Sequence, residues 1–334
     1  MTKSMVWSGL DLDGEGKQAD YLRIPHSVDT SAYGWVPVPL IRIRNGTGPT
    51  ALLCAGNHGD EYEGQIALLD LAREIEAKDV RGCLLILPGL NYPAVAAGRR
   101  VSPLDEGNLN RSFPGQAQGT PTQMLAHYIT DMLFPRADFV IDLHSGGRSL
   151  EYAHCGLGHY GRGEETDTKI RELLEVFSAP WSILTQGAGG GGDTTLYAAA
   201  AARGIPAITA ELGGGARVDP VGLRHAADGT RRALAHWGIW TAPDLRTPET
   251  PTRLARTLPR PTSLYAMHSG LFEPFCQPGE AVQAGQPAGR LHHHEQPLLP
   301  PTALQFSASG VISCRRALAH TRLGDCLYHL AELL

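Results

Sequence analysis

The segment AGNHGDEYEG (55–64) sets His58, Asp60, Glu61 and Glu63 directly behind the apolar run ALLCAG. Such a cluster fits a solvated loop, a helix start or a metal site. A catalytic zinc ion takes three protein ligands and keeps a position open for water. His58 and Glu61 lie where an expected strand ends and an expected helix opens, and residues three apart in a helical turn share a face. A third ligand is expected from a neighbouring strand end, and DFVIDLHSGG closes its apolar run with His144. Asp142 points to the same face of that strand and suits a carboxylate that orients a ligating histidine. A metal-activated water needs a general base. Glu211, which ends IPAITAE, is placed to take a proton and pass it to a leaving amine, the alternative being a strand-terminal glutamate in solvent. Asn110 and Arg111 in SPLDEGNLNRSFPG are either carboxylate binders, through the guanidinium fork, or ordinary surface-loop residues. For Asp60 and Glu63 the helix dipole is explanation enough.

The elements that must position these residues follow from hydrophobic periodicity. TALLCAG (Thr50–Gly56), GCLLILPG, DFVIDLH, WSILTQ and IPAITAEL read as short buried strands. Helical patterns lie between them. GQIALLDLAREIEA puts Leu68, Ala72 and Ile75 on one face. GTPTQMLAHYITDML opens with Thr120 as N-cap, Pro121 at the first position and Gln123 completing a capping box. Its stripe is Met124, Leu125, Tyr128, Ile129, Met132 and Leu133. DTKIRELLEVF and DTTLYAAAAARG are the remaining helices. This alternation predicts an α/β fold with a mostly parallel or mixed sheet and helices on both faces. The pattern changes near Trp240. Residues 1–240 are read as the catalytic unit with an N-terminal extension, and 241–260 as a Pro/Thr-rich linker or extended edge. Residues 261–334 are read as a small all-β domain. Its PGEAVQAGQPAGRL resembles the hammerhead turn of lipoyl- and biotinyl-type barrels, without an evident modifiable lysine.

The chain has 334 residues, 42% hydrophobic and 19% charged, with a net charge of −5. That balance argues against nucleic acid as the main partner, since phosphate binding needs a basic face. No apolar run approaches a membrane span. MTKSMVWSGLDLDGEGKQ lacks the apolar core of a signal peptide. Cys54, Cys83, Cys155, Cys276, Cys314 and Cys326 form no CxxC pair. Together these features predict a cytoplasmic protein with reduced, mostly buried thiols.

GNHGDEYEG, NLNRSFPG, DLHSGG and AELGGG, in this order, resemble the succinylglutamate desuccinylase/aspartoacylase family, whose fold is similar to that of zinc carboxypeptidases. The resemblance spans roughly Pro49 to Gly215, and the appended β domain fits it. It implies one zinc ion per chain on His58, Glu61 and His144, with Glu211 as base and acid. It implies Asn110 and Arg111 gripping the carboxylate of a small N-acyl amino acid. The activity implied is removal of an acetyl or succinyl-like group, by a monomer or a homo-oligomer. The subgroup that the chain most resembles includes N-acetyl-2,4-diaminobutyrate deacetylases of ectoine breakdown. There is one departure. Members with a DLNR motif carry an arginine eight residues before its Arg, which polarises the scissile carbonyl. Here that position is Pro103, and the motif begins with Asn108. Arg99 and Arg100 lie further back, and Arg100 is expected to take the role.

Three other readings compete. Gly187, Gly189 and Gly192 fit GxGxxG after a strand, with Glu211 ending the next one, which is formally a dinucleotide fingerprint. It leaves His58, Glu61 and His144 unexplained, and a glycine-rich loop over the site accounts for it equally well. A metallocarboxypeptidase would share the metal site and differ in the pocket. A non-enzymatic module would keep the fold without the chemistry, against which the complete ligand set and Glu211 count. No GxSxG elbow, HExxH or P-loop is present. His292–His294 is expected in a surface loop. His154 and His159 are candidates to line the pocket.

Overall fold

The computed structural model describes residues 3–187, 192–248 and 250–334. Strands β1 (Gly16–Pro25) and β2 (Trp35–Asn45) form a long antiparallel hairpin. Then come β3 (Thr50–Ala55), α1 (Glu63–Glu74), β4 (Gly82–Leu87), α2 (Pro121–Tyr128) and β5 (Phe139–His144). They are followed by β6 (Cys155–His159), α3 (Glu164–Phe177), β7 (Trp181–Thr185), α4 (Leu196–Ala201), β8 (Ala207–Glu211) and α5 (Pro220–His236). The sheet is mixed. Its heart is the parallel row β4-β3-β5-β8, and β6 joins β8 antiparallel while β7 runs parallel to β6.

Pleating divides each strand between two apolar clusters. Leu53 and Ala55 of β3 pack with Leu68 and Leu71 of α1 and with residues of α3 and α5. Leu52 and Cys54 pack instead with Leu125 of α2 and Leu196 of α4. Ala51 to Ala55 and Val140 to Leu143 are almost wholly excluded from solvent. Each such Leu, Ile or Val contributes about 1.5–3 kcal/mol of transfer free energy. The α2 start is as expected: Gln123 N–H donates to Thr120 Oγ1, and Thr120 N–H donates to Gln123 Oε1 at 3.0 Å. The stripe beyond Tyr128 continues through a π turn, Ile129–Leu133. The segment expected to be helical from Asp193 begins as a 3-10 turn (Gly192–Thr194), and α4 starts only after Thr195.

The C-terminal strands are β9 (Arg253–Thr257), β10 (Gly270–Pro274), β11 (Pro287–His292), β12 (Thr302–Gln305), β13 (Gly310–Arg316) and β14 (Cys326–Leu333). Part of the stretch read as a linker is therefore a strand: β9 pairs with β7 on one side and β14 on the other. Through it β13 and β14 extend the large sheet. β10, β11 and β12 form a separate antiparallel sheet with His320–Thr321. His292 is the last residue of β11 rather than a loop residue, and its Nε2 meets Glu273 Oε2 at 2.7 Å. All six cysteines are unpaired, five of them buried and Cys326 partly so. No helix among the described residues is long and apolar enough to cross a membrane.

Candidate metal centre and active site

Three adjacent parallel strands, β3, β5 and β8, end at the same edge of the sheet. Ligands of α/β sheets gather at such carboxyl ends. After β3 the chain turns out through Gly56, whose φ of +71° few other residues adopt. His58 and Glu61 thus sit in the turn before α1 rather than inside a helix. The start of α1 lies against β5 at Gly64, where a β-carbon would come within 2.4 Å of Leu143 Cβ. This close approach brings Glu61 to His144.

Glu61 bridges the two histidines. Its Oε1 is 2.8 Å from His58 Nδ1 and its Oε2 is 2.8 Å from His144 Nδ1. All three side chains are buried, and one ligand atom from each lies within 4.8 Å of the others. The far nitrogens are also held: His58 Nε2 lies 3.2 Å from Asn108 Oδ1, and His144 Nε2 lies 2.8 Å from Asp142 Oδ2. Partners on the far nitrogen fix ring orientation and leave Nδ1 for a metal. Asp142 Oδ2 also accepts from Asn57 Nδ2 at 3.1 Å. Two imidazoles and one carboxylate, buried and oriented, are the donor set of a zinc hydrolase site, so these residues fit the ion that the resemblance implies.

Burial lowers the pKa of His58, with the Glu61 carboxylate only partly opposing it. At Glu61 burial works upward, but the two histidines outweigh it and hold the carboxyl below its ordinary value. At His144 burial works downward, and Asp142 and Glu61 together push the ring well above it. Glu211 is raised well above the carboxylate range, by burial first and the Glu61 charge second, and its Oε2 is buried without a hydrogen-bond partner among the described residues. A cation in the adjoining ligand set would lower it again.

A cavity of about 180 Å³ opens over this group. His58, Glu61, His144, Glu211, Asn110, Arg111 and Arg100 all border it. Arg100 Nη1 is 3.6 Å from Glu61 Oε1, whereas Arg99 pairs with Glu106 at 3.1 Å on the surface. Asn110 Oδ1 accepts from Leu196 N–H at 2.9 Å, which ties the NLNR turn to α4. Arg111 donates to Asn110 O at 2.7 Å. Burial, and then the charge of Arg100, depress its pKa.

Asp60 and Glu63 do more than face a helix dipole. Asp60 Oδ2 accepts from Arg148 N–H at 2.9 Å, and Glu63 Oε1 accepts from Asp219 N–H at 2.8 Å. Each is buried and pins a loop after a neighbouring strand. His154 pairs with Asp219 at 2.8 Å, and His159 Nδ1 accepts from Arg162 Nε at 3.2 Å; neither histidine borders the cavity among the described residues. Gly187 and Gly192 do border it; Gly189 lies outside the described residues. Asn57 and Asn108 orient Asp142 and His58, a role that the sequence did not suggest although both lie inside the motifs. Thr257, Ser313 and His329 also line the cavity from the C-terminal strands, and no sequence signal marks them.

The model of the succinylglutamate desuccinylase/aspartoacylase catalytic domain matches residues 47–237. The chain belongs to this family. It is 35% identical over 331 residues to the N-alpha-acetyl-L-2,4-diaminobutyric acid deacetylase of Halomonas elongata, covering 99% of this chain and 96% of that protein. Among solved structures it resembles the product-bound ectoine utilization protein EutE (DoeB) of Ruegeria pomeroyi. There the TM-score is 0.93 at 35% identity, over 99% of this chain and 100% of the other. A succinylglutamate desuccinylase of Silicibacter sp. TM1040 gives a TM-score of 0.93 at 34% identity, with 100% of both chains covered. The residues gathered at the strand ends thus belong to a chain whose relatives are named as deacetylases and desuccinylases.

Proposed function

We propose that this protein is a zinc-dependent amidohydrolase that removes the acyl group from a small N-acyl amino acid, with Nα-acetyl-2,4-diaminobutyrate as the substrate. The observation that carries this reading is the buried His58–Glu61–His144 set beside Glu211. The full-length similarity to a diaminobutyric acid deacetylase supports the choice of substrate.

His58, Glu61 and His144 would hold one zinc ion, which supplies Lewis acidity at the acyl carbonyl and a water of lowered pKa. Glu211 takes the proton of the attacking water and delivers it to the departing amine nitrogen. Arg100 stands beside Glu61 and stabilises charge developing on the carbonyl oxygen, usually a large term in such reactions. Arg111 offers its planar fork to the substrate carboxylate, and Asn110 holds the turn that aims it. Asp142 keeps the His144 ring in register.

In the same reading the catalytic unit is 1–240, with helices covering both faces of its sheet. Residues 261–334 are a small barrel-like β domain, and 241–260, with β9 inside it, lead into that domain. The protein works in the cytoplasm, as a monomer or a homo-oligomer. A metallocarboxypeptidase would share the metal set and would need room for a peptide beside it. The test is release of acetate from Nα-acetyl-2,4-diaminobutyrate by the zinc-loaded protein, before and after treatment with a chelator. Chelator-sensitive turnover is expected. Hydrolysis of C-terminal peptide bonds with none of the acetylated amino acid would overturn the reading.

A further inference from the structure

His329 stands on β14 and lines the cavity from the C-terminal strands. β14 pairs with β13, where Cys314 lies opposite His329, and Cys314 in turn lies opposite Tyr152 in the segment after His144. The pairing holds the ring against the catalytic unit. Its protonation can be read from its neighbour. Ser313 Oγ lies 2.9 Å from His329 O and 3.2 Å from His329 Nδ1. A serine hydroxyl has one proton, and a carbonyl oxygen only accepts. The proton therefore goes to the carbonyl, and Oγ accepts from Nδ1–H. A neutral imidazole with its hydrogen on Nδ1 carries a lone pair on Nε2. That Nε2 is buried and has no protein partner among the described residues. Burial, and then the charge of Arg260, hold the ring below the ordinary histidine range, so it stays neutral.

The other polar groups of an N-acyl amino acid are already served. Arg111 takes the carboxylate, the metal set and Arg100 take the acyl carbonyl, and Glu211 takes the amide nitrogen. The side chain is left. We propose that His329 Nε2 accepts a hydrogen bond from an N–H donor on the substrate side chain, selecting amino-bearing over aliphatic N-acyl amino acids. This inference rests on the deacylase reading above and names the side-chain class of its substrate.

The test compares kcat/KM for Nα-acetyl-2,4-diaminobutyrate and for N-acetyl-2-aminobutyrate, which has the same skeleton without the amine. The zinc-loaded wild type, His329→Phe and His329→Gln are used. Phe keeps ring volume without an acceptor; Gln restores an acceptor oxygen. His329→Phe is expected to lose about 10- to 100-fold on the diamino substrate, mainly in KM. On the aliphatic one it should stay within about twofold, and His329→Gln should recover part of the loss. Equal losses on both substrates, or none on either, overturn the inference and leave the deacylase reading standing. If the wild type hydrolyses neither substrate, both fall. Should His329→Phe not fold, His329→Leu replaces it as the variant without an acceptor: loss on the diamino substrate alone supports the proposal, and equal loss on both or none on either overturns it.

Discussion

His144 and Glu211 are directly opposed on the adjacent parallel strands β5 and β8, as the last residues of both. The proposed metal ligand and the proposed proton carrier are thereby held one strand spacing apart, each at the end of its strand. Rigid strand ends fix such groups more closely than loops do.

Glu211→Gln keeps the shape of the side chain and removes its ability to take a proton. Turnover should fall by about 10² to 10⁴, while zinc content stays at the wild-type level. Near-normal turnover on a verified substrate would remove Glu211 from the proton path.

The metal set predicts a stoichiometry. Protein purified without affinity nickel should carry about one zinc ion per chain, measured by elemental analysis. His144→Ala should carry almost none, because one of the three proposed ligands is gone and Glu61 keeps only His58 of its two histidine partners. Retention of the metal by His144→Ala would place the ion elsewhere.

Arg111 tests how the carboxylate is held. Arg111→Ala should raise KM for an N-acetyl amino acid about 10- to 100-fold. The corresponding C-terminal amide, which has no carboxylate for the guanidinium fork, should be a poor substrate of both forms. A KM unchanged by Arg111→Ala assigns the carboxylate to another cation.

Gly64 is a packing constraint on the site. A β-carbon there would lie 2.4 Å from Leu143 Cβ and 3.0 Å from Leu143 O. Gly64→Ala should destabilise the protein by about 1–3 kcal/mol through overpacking, and should weaken zinc binding because Leu143 precedes His144. Thermal melting with and without zinc measures both effects.

His225 gives stability a pH dependence away from the active site. Burial, and then the charge of His154, lower its pKa to about 4. The unfolded chain binds that proton near pH 6.5, and the folded chain binds it only near 4. Between those values the unfolded state holds more protons, so stability falls as pH drops from 6.5 towards 4. The melting temperature of His225→Phe should decline less steeply across this window than that of the wild type. Parallel declines would exclude His225 as a source.

The sequence by itself determined what short-range geometry can encode. Buried strands read as apolar runs because β3 and β5 are covered by both clusters, and the α2 cap read from Thr120 and Gln123 because a capping box is local. The spacing of His58 and Glu61, and the position of His144 at a strand end, were enough to suggest one ion between them. Tertiary structure decided the rest. Only the folded loop shows that Arg100 turns to Glu61 while Arg99 turns to Glu106, since neighbouring arginines share one composition and differ in the path of the backbone. Asp60 and Glu63 read as dipole partners, yet each is consumed by a backbone N–H far along the chain. The stretch before Arg260 read as a linker or extended edge, and only the pairing of β9 shows that it carries the large sheet into the C-terminal strands. His329 reaches the cavity only because of that pairing, across a sequence separation that no local pattern records.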